Sequence, residues 1–433
     1  MIKLKKSCPF LFGLVSLVLC MSMMTVTAAG AVNNGMVYAI ESNNIQGWPP
    51  GPEVACETAV LLEADNGNVL YSKGGDELRY PASITKIMTA LLAIENLQLE
   101  TQLTFSENSV ASEQVAGSST IHMQVGEVIT VEDCLYGLMI QSANEVAIQL
   151  AEQVSGTEAA FAELMNQRAA AIGCKNTHFV NASGLPDENH YTTAYDMALI
   201  CREALKNETF RKVIQTENYV IPPTNMSAAA RELHTHHPLL ASESAEHYEG
   251  CLGGKSGSTE AAGKTLVTAA ERNGVTLVAV VMKGTDMGPN CLDTTNLLNY
   301  GFDNFKKIEL NKGFVLVPSN VTMEQLQCEE SVQQDGSVLL NYSYSGQPVG
   351  NAYKEEEKPQ EKINEKTPVE KDTEGIMGEN DKEQKKDDKN MSFSLMDALV
   401  ILLAVLVIVL IILMVLLVKK DRRKKKRRKK LNI

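Results

Sequence analysis

Apolar residues recur at helical spacing in several stretches of the chain. The clearest is 81–95, which Pro81 opens and in which Ile84, Ile87 and Leu91 lie one helical turn apart. The same spacing predicts further helices at 130–139, 146–154, 159–172 and 296–305, and one that opens at Thr192 or Thr193.

Short runs rich in β-branched residues predict strands between and after these helices. Two Asn-Gly pairs, at 66–67 and 273–274, are typical of the turns that join two strands into a hairpin. Residues 255–258 would lie on a strand antiparallel to the second hairpin. The predicted strands are 59–64, 68–71, 263–270, 275–282, 314–318 and 338–344. Helices followed by late antiparallel strands indicate an α+β fold.

The first 31 residues have the layout of a cleaved export signal. Three lysines precede an apolar run at 10–24, and small residues follow at 28–31. A lipid-attached Cys20 and an uncleaved anchor are the alternatives. Residues 32–52 are polar and predict a loose leader.

An uncharged stretch of Leu, Ile and Val occupies 398–418. At ~1.5 Å per residue it is long enough to cross a hydrocarbon layer of ~30 Å. We expect a transmembrane helix at 395–418, with the basic tail at 419–433 in the cytoplasm and the bulk of the chain outside. A nuclear-type basic signal is the alternative for that tail.

The region before this helix divides by composition. Residues 354–391 are mostly Glu, Lys and Asp and cannot bury a core, so we expect a disordered stalk. Residues 308–353 predict a small β-rich domain, and 53–307 would form the larger domain.

Charge and cysteine usage exclude several kinds of site. The net charge is −13 and the basic residues concentrate at the two ends, so the middle of the chain repels phosphate and predicts no nucleic-acid partner. The cysteines are widely scattered, which predicts no metal, and we expect no cofactor. Seven remain after the signal, so at least one thiol is free and a single disulfide stays open.

Three short motifs carry candidate chemistry: Ser83-x-x-Lys86, Ser142-Ala143-Asn144 and Lys255-Ser256-Gly257. Spacing of three residues on a helix puts the Ser83 hydroxyl and the Lys86 amine on one face, as a nucleophile and its base. A Ser-x-x-Lys sequence also occurs by chance, so the first motif alone is weak evidence of a catalytic site. The other two motifs strengthen it, because each lies in the structural context that its role needs.

Together the motifs resemble those of the low-molecular-weight penicillin-binding proteins, the D-alanyl-D-alanine carboxypeptidases of the DacA/DacF type. The resemblance runs from about residue 59 to 284. It implies the serine β-lactamase and penicillin-binding-protein-like transpeptidase fold, an antiparallel sheet with helices, followed by a small β-rich C-terminal domain.

The resemblance also implies the catalytic roles. Ser83 would attack the bond between two D-alanines of a peptidoglycan stem peptide and form an acyl-enzyme, and β-lactams would acylate it as covalent inhibitors. Lys86 would take the serine proton, which requires a pKa well below ~10.4. Ser142 would relay a proton to the leaving amine.

The implied substrate-binding residues surround this group. Asn144 would orient the substrate amide, Lys255 with Ser256 would read the terminal carboxylate, and the backbone N–H groups of Ser83 and Ser258 would form the oxyanion hole. The predicted substrate-binding set is Asn144, Lys255, Ser256, Gly257, Ser258 and His236.

Several positions depart from the family pattern or match it without a catalytic role. Ser256 replaces a threonine and keeps its hydroxyl, and Glu145 stands where aspartate is common. His236 is nearest to a position where some members carry a carboxylate-binding arginine, which would make carboxylate reading weaker or pH-dependent. The histidine-rich segment around it is expected to be a solvated loop. The matching residues Asn181, His190 and Asp196 are expected to cap helices and bond loops.

We therefore expect a membrane-anchored D-Ala-D-Ala carboxypeptidase that trims peptidoglycan. A D,D-endopeptidase shares the same site, and a β-lactam sensor would bind without turnover. A β-lactamase would need an extra carboxylate base that is not evident, and a catalytically inactive wall-binding scaffold is the last alternative.

Overall fold

The computed structural model describes residues 32, 35–112 and 115–354. The predicted signal, the stalk after Lys354, the predicted transmembrane helix and the basic tail lie outside the described residues. Within the described ranges, no helix has both the length and the apolar character that a bilayer crossing needs.

The strands are β1 Thr58–Glu63, β2 Val69–Lys73, β3 Gln102–Thr104, β4 Val128–Thr130, β5 Asn218–Ile221, β6 Arg231–His234, β7 Cys251–Thr259, β8 Gly263–Arg272, β9 Val275–Gly284, β10 Phe305–Leu310, β11 Gly313–Pro318, β12 Gln327–Val332, β13 Val338–Tyr344 and β14 Gln347–Tyr353. The α-helices are α1 Lys86–Asn96, α2 Glu107–Ala111, α3 Val131–Met139, α4 Asn144–Ser155, α5 Glu158–Ile172, α6 Ala194–Ala204, α7 Glu208–Ile214 and α8 Met287–Asn304.

The larger sheet is antiparallel, in the order β2-β1-β9-β8-β7. Both predicted hairpins are present, β1–β2 and β8–β9. In the turn of the second, Asn273 and Gly274 have φ of 53° and 70°, which suits the tight turns that match strand twist. β7 is an edge strand, so one side of it is free of a strand partner in this sheet.

Two apolar clusters cover the two faces of this sheet. Val60 and Val280 pack with α1 and α3 to α7 on one face, and the neighbouring Leu61 and Val281 pack with α8 on the other. Alternation along a strand explains why adjacent residues join different cores. α1 lies in the middle of the first cluster, where every residue from Lys86 to Ala93 is buried.

Part of the predicted leader packs against the sheet. Trp48 is 7% exposed, its indole N–H donates to the Leu70 carbonyl at 2.8 Å, and its ring meets Phe305 edge-on at 5.2 Å. The prediction of a loose leader is therefore wrong for residues 40–52, because a buried aromatic ring with a paired N–H fixes the segment.

The last helix of the larger domain begins earlier than its apolar pattern predicts. α8 starts at Met287 and not near Asn296, and the carboxylate of Asp286 accepts the Met287 N–H. Its first turns are polar or small, so hydrophobic spacing could not reveal them.

A second antiparallel sheet follows α8 directly, in the order β10-β11-β14-β13-β12. All seven cysteines in the described residues are free thiols, so the disulfide left open by the sequence is not formed among them.

Candidate active site

Ser83 lies in a 3-10 turn, Ala82–Thr85, that leads directly into α1. Ala82 has φ of 53°, a conformation that is strained for a residue with a Cβ, so surrounding contacts must hold the turn. One of them is the Thr265 hydroxyl of β8, which donates to the Pro81 carbonyl at 2.9 Å. Ser83 is partly exposed. Its hydroxyl therefore sits at the junction of helices and sheet, within reach of a ligand.

Lys86 begins α1 and its side chain is fully buried beside Ser83. Its Nζ lies 3.2 Å from Ser83 Oγ, 2.6 Å from Asn144 Oδ1 and 2.7 Å from the Ser183 carbonyl oxygen. None of these acceptors is a carboxylate. Burial lowers the pKa of Lys86 well below its usual value, and the charge of Lys255 lowers it further. The amine can therefore be neutral and accept a proton from Ser83.

The Ser183 carbonyl is a site group that the three motifs did not indicate. It lies in the loop 176–193, where the Asn181 side-chain oxygen accepts the N–H groups of Ser183 and Gly184. A Cβ at Gly184 would lie 1.8 Å from the Ala82 carbonyl oxygen, so a glycine is needed for the loop to reach the nucleophile turn. An asparagine two positions before a Ser-Gly pair is a turn signal that could have drawn attention to this loop.

The other loop residues singled out in the sequence make structural contacts. His190 bonds the Thr85 hydroxyl at 2.9 Å and accepts the Val180 N–H at 3.1 Å. The Asp196 carboxylate accepts the Asn176 N–H at 2.8 Å. These contacts fix the loop that carries the Ser183 carbonyl, as the sequence reading of these residues predicted.

Ser142 and Asn144 lie in the tight connection between α3 and α4. Ser142 is buried with φ of 62°, which is unfavourable for serine and is typical of residues held for function. Asn144 opens α4, its N–H donates to the Ser119 carbonyl at 2.8 Å, and its side-chain oxygen contacts Lys86. The connection therefore brings the second motif against the first.

β7 brings the third motif to the same turn from the sheet. Lys255 is 2% exposed and its Nζ donates to the Ser256 carbonyl at 2.8 Å. Burial lowers the pKa of Lys255 to about 7. A Cβ at Gly257 would lie 2.9 Å from the backbone nitrogen of Ser83, so the strand can pass the nucleophile turn only with glycine there.

The two serines of the same strand have polar partners of their own. Ser256 donates its hydroxyl to the His236 carbonyl at 3.2 Å. The Ser258 oxygen accepts a hydrogen bond from Lys264 Nζ at 3.0 Å. Both hydroxyls lie on the edge strand beside the partly exposed Ser83.

The D-alanyl-D-alanine carboxypeptidase model of the S11 peptidases matches residues 44–286, more than half of the chain. This chain belongs to that family. It is 35% identical over 259 residues to the D-alanyl-D-alanine carboxypeptidase DacF of Bacillus subtilis, a match that covers 59% of this chain and 64% of DacF. The match thus spans somewhat less than two thirds of that relative.

Solved structures support the fold. The crystal structure of the Streptomyces K15 DD-transpeptidase is similar with a TM-score of 0.55 and 31% identity, over 59% of this chain and 100% of that chain. Penicillin binding protein 6B from Escherichia coli gives a TM-score of 0.60 at 22% identity, over 72% and 98% of the two chains, and so supports the fold alone. The predicted penicillin-binding-protein-like fold, an antiparallel sheet with helices, is confirmed.

The histidine segment departs from the sequence expectation. His237 is 4% exposed and its Nε2 contacts the Val267 carbonyl at 3.1 Å, so the prediction of a solvated loop is wrong at that residue. His236 is half-buried, and burial together with the charge of Lys255 lowers its pKa below the usual value of 6.5. The ring is therefore neutral at pH 7 and offers a hydrogen bond but no charge.

Glu145, the residue that follows the Ser142-Ala143-Asn144 motif, is buried. One carboxylate oxygen accepts the Ile121 N–H at 2.7 Å, and burial raises the pKa of this group. Its charge acts on Lys86 in the opposite sense to Lys255. Among the described residues, no group of three or more His, Cys, Asp or Glu side chains could hold a metal ion.

Proposed function

We propose that this chain is a serine-type D-Ala-D-Ala carboxypeptidase that removes the terminal D-alanine from peptidoglycan stem peptides and is acylated by β-lactams. The observation that carries the proposal is the contact of Ser83 Oγ with a buried lysine amine at 3.2 Å, in a chain of the S11 family. A serine hydroxyl becomes a nucleophile when a neighbouring base takes its proton.

The first half of the reaction follows from this contact. Neutral Lys86 takes the Ser83 proton as the serine oxygen bonds to the carbonyl carbon of the penultimate D-alanine. The resulting oxyanion would be held by the backbone N–H groups of Ser83 and Ser258, where one donor is typically worth ~3 kcal/mol of barrier. The C–N bond then breaks, and the proton that Lys86 took from Ser83 passes through Ser142 to the leaving amine, which leaves Lys86 neutral again.

The second half returns the enzyme. A water molecule gives a proton to the Lys86 amine as its oxygen bonds to the ester carbon. The bond between that carbon and Ser83 Oγ then breaks, and Lys86 returns the proton to the serine oxygen, which releases the shortened peptide acid. Asn144 supports both halves because its side-chain oxygen, 2.6 Å from Nζ, holds the amine in place. No step in this scheme uses a metal or cofactor.

The substrate contacts are part of the proposal. The side-chain amide of Asn144 would bind the substrate amide, and Lys255 with Ser256 would bind near its terminal carboxylate. Gly257 supports this arrangement because it allows β7 to run beside the nucleophile turn. His236 would add a neutral hydrogen bond at the same end of the strand.

Placement outside the cytoplasm is also proposed. Its support is the export-signal layout of 1–31 and the uncharged stretch at 398–418 followed by a basic tail. Protease added to intact cells should remove the larger domain and leave the tail protected. Protection of the whole chain would contradict this placement.

The activity is tested with the purified full-length chain in detergent and a peptide ending in D-Ala-D-Ala. We expect release of free D-alanine, and covalent labelling by a fluorescent penicillin. Ser83→Ala should abolish both, because the ester cannot form. Labelling without D-alanine release would favour a sensor, and labelling of Ser83→Ala would show that another residue is the nucleophile.

A further inference from the structure

The reacting centre contains two buried amines. Lys86 is fully buried and Lys255 is 2% exposed, and the charge of Lys255 disfavours a second positive charge on Lys86. In each half of the proposed reaction Lys86 becomes an ammonium, first with the proton of Ser83 and then with a proton of water. An ammonium that forms in a buried site beside another amine is unfavourable unless a negative charge lies nearby.

The direct partners of Lys86 carry no net charge. They are the Ser83 hydroxyl, the Asn144 amide oxygen and the Ser183 carbonyl. None of the salt bridges in the described part of the chain includes this lysine. A negative charge that stabilises its ammonium must therefore come from a residue beyond these three partners.

Glu145 is a buried carboxylate next to Asn144 in the chain. It is 1% exposed and lies in the first turn of α4, where the unpaired N–H groups of a helix favour negative charge. Among the described residues it is the acidic side chain whose charge acts on Lys86, and it raises the pKa of that lysine against the effect of Lys255. The carboxylate thus favours the protonated form of the amine.

Backbone contacts hold Glu145 and Asn144 as a unit. Glu145 Oε1 accepts the Ile121 N–H at 2.7 Å, and the Asn144 N–H donates to the Ser119 carbonyl at 2.8 Å. The segment 119–121 is therefore bonded to both residues. Since the Asn144 side-chain oxygen lies 2.6 Å from Lys86 Nζ, these bonds fix the carboxylate relative to the amine.

The same segment affects the ionisation of Glu145. Burial raises the pKa of this carboxyl group, whereas the N–H groups of Ile121 and Met123 and the charge of His122 lower it. The residues that hold the carboxylate in place therefore also favour its charged form.

The other titratable groups near this cluster are neutral at pH 7, with one exception. Burial keeps the pKa of the Cys134 thiol well above its usual value and lowers the pKa of His190 to about 3. The exception is Lys255, whose pKa burial lowers to about 7. The charge on Lys86 is therefore decided between one carboxylate and one other lysine.

We propose that Glu145 is a positioning residue whose buried carboxylate stabilises the ammonium of Lys86 whenever this lysine holds a proton. The inference rests on the proposed function. The proton moves from Ser83 Oγ to Lys86 Nζ and onward through Ser142, while Glu145 exchanges no proton and does not touch the substrate.

The test uses Glu145→Gln in the full-length chain in detergent. Glutamine keeps the size of the side chain and an oxygen that accepts the Ile121 N–H, so the substitution removes mainly the charge. The measurement is the rate of covalent labelling by a fluorescent penicillin as a function of pH. Because Lys86 acts as a base only when neutral, the rate rises as pH increases through its pKa.

Two changes are expected in Glu145→Gln. The rising part of the profile should move to lower pH, since the amine loses its proton more easily without the carboxylate. The maximal rate should fall about 10-fold, because a weaker base takes the Ser83 proton less readily. Glu145→Asp keeps the charge, so most of the rate should remain. The isosteric pair Glu145→Asp and Glu145→Asn repeats the comparison at a shorter length, and it decides the question if the glutamine variant does not fold.

Glu63→Gln is the matched control. Glu63 is fully buried, its carboxylate accepts the N–H groups of Asp65 and Asn66 at 2.6 and 2.8 Å, and burial raises its pKa. It resembles Glu145 in burial and bonding, but its charge does not act on Lys86. The control should lower the melting temperature and leave the pH profile unchanged.

The outcomes separate this inference from the proposed function. A rising part that stays at the wild-type pH in Glu145→Gln, even with a slower rate, would show that the carboxylate only supports the fold and would overturn the inference. An equal shift in Glu63→Gln would overturn it as well. Absence of labelling and of D-alanine release in the wild type would instead contradict the proposed function.

Discussion

The two sides of the nucleophile differ in how completely their polar groups are paired. On the helical side, Lys86 is fully buried and its amine has three fixed polar partners in Ser83, Asn144 and Ser183. On the outer side of β7, Ser258 is exposed and its hydroxyl has one long-chain lysine as partner. The helical side is organised before substrate arrives, whereas the outer side has donors that can change partners.

This difference separates rate from selectivity. Groups fixed around the reacting oxygen lower the barrier because they need no reorganisation during the reaction. Groups that exchange one hydrogen bond for another mainly decide which ligand binds. Substitutions on the helical side should therefore remove acylation, and substitutions on the outer side of β7 should change the preference among substrates.

The largest effect is expected at Lys86. Lys86→Ala should reduce penicillin acylation about 1,000-fold or more, because no base remains to take the Ser83 proton. Lys86→Arg should fail as well, since a guanidinium keeps its charge but cannot give up a proton at accessible pH. The measurement is the rate of covalent labelling by a fluorescent penicillin.

Lys73 is a second buried lysine, and replacing it is the control for the loss of a buried lysine as such. Its Nζ donates to the carbonyls of Val54 and Cys56 at 2.7 and 2.9 Å, and neither residue belongs to the three motifs. Lys73→Met should lower the melting temperature while labelling persists. Normal labelling of Lys86→Arg would show that the lysine supplies charge and is not the base.

Gly257→Ala tests the contact between the two sides. The added Cβ would lie 2.4 Å from Thr265 Oγ1 and 2.9 Å from the Ser83 nitrogen, so β7 must move away from the nucleophile turn. We expect acylation to fall about 100-fold, since small displacements at the reacting centre cost that much. Unchanged acylation would mean that the strand is not held against Ser83 in solution. Gly274→Ala, at a turn away from the site, reports the general cost of replacing a glycine of this sheet that has a positive φ.

The pH dependence of kcat/KM sharpens the comparison further. The pKa of Lys255 is lowered to about 7, so this lysine is charged below that pH and loses its charge as pH rises through it. For a peptide with a free carboxylate, kcat/KM should therefore fall as pH rises through about 7. Lys255→Met should remove that inflection while any dependence from Lys86 remains, and an inflection that persists would assign it elsewhere.

Sequence reasoning predicted the elements that have regular spacing and the groups that belong to short motifs. The β8–β9 hairpin and the Ser83-x-x-Lys86 pairing were readable because Asn-Gly turns and helical spacing are local signals. The Ser183 carbonyl was not, because a backbone acceptor leaves no residue type to recognise and reaches Lys86 only through the folded loop.

Contacts between residues distant in the chain also explain why the prediction of a loose leader was wrong. Trp48 stands in a segment of polar and proline residues, and only its packing on Phe305 across 257 positions of chain makes it part of the core.

The smallest effect is expected at His236, the residue that the sequence placed nearest to a carboxylate-binding position. Its ring is neutral at pH 7 because burial and Lys255 lower its pKa, so His236→Gln removes one hydrogen-bonding group and no charge. We expect kcat/KM for a peptide ending in D-Ala-D-Ala to change within about 3-fold, less than 1 kcal/mol. The substitution retains an amide that can donate, and the backbone carbonyl that accepts from Ser256 stays in place. A 10-fold loss of kcat/KM in His236→Gln would show that the histidine contributes a charge to carboxylate binding, and it would mean that bound substrate restores the proton that the free enzyme lacks.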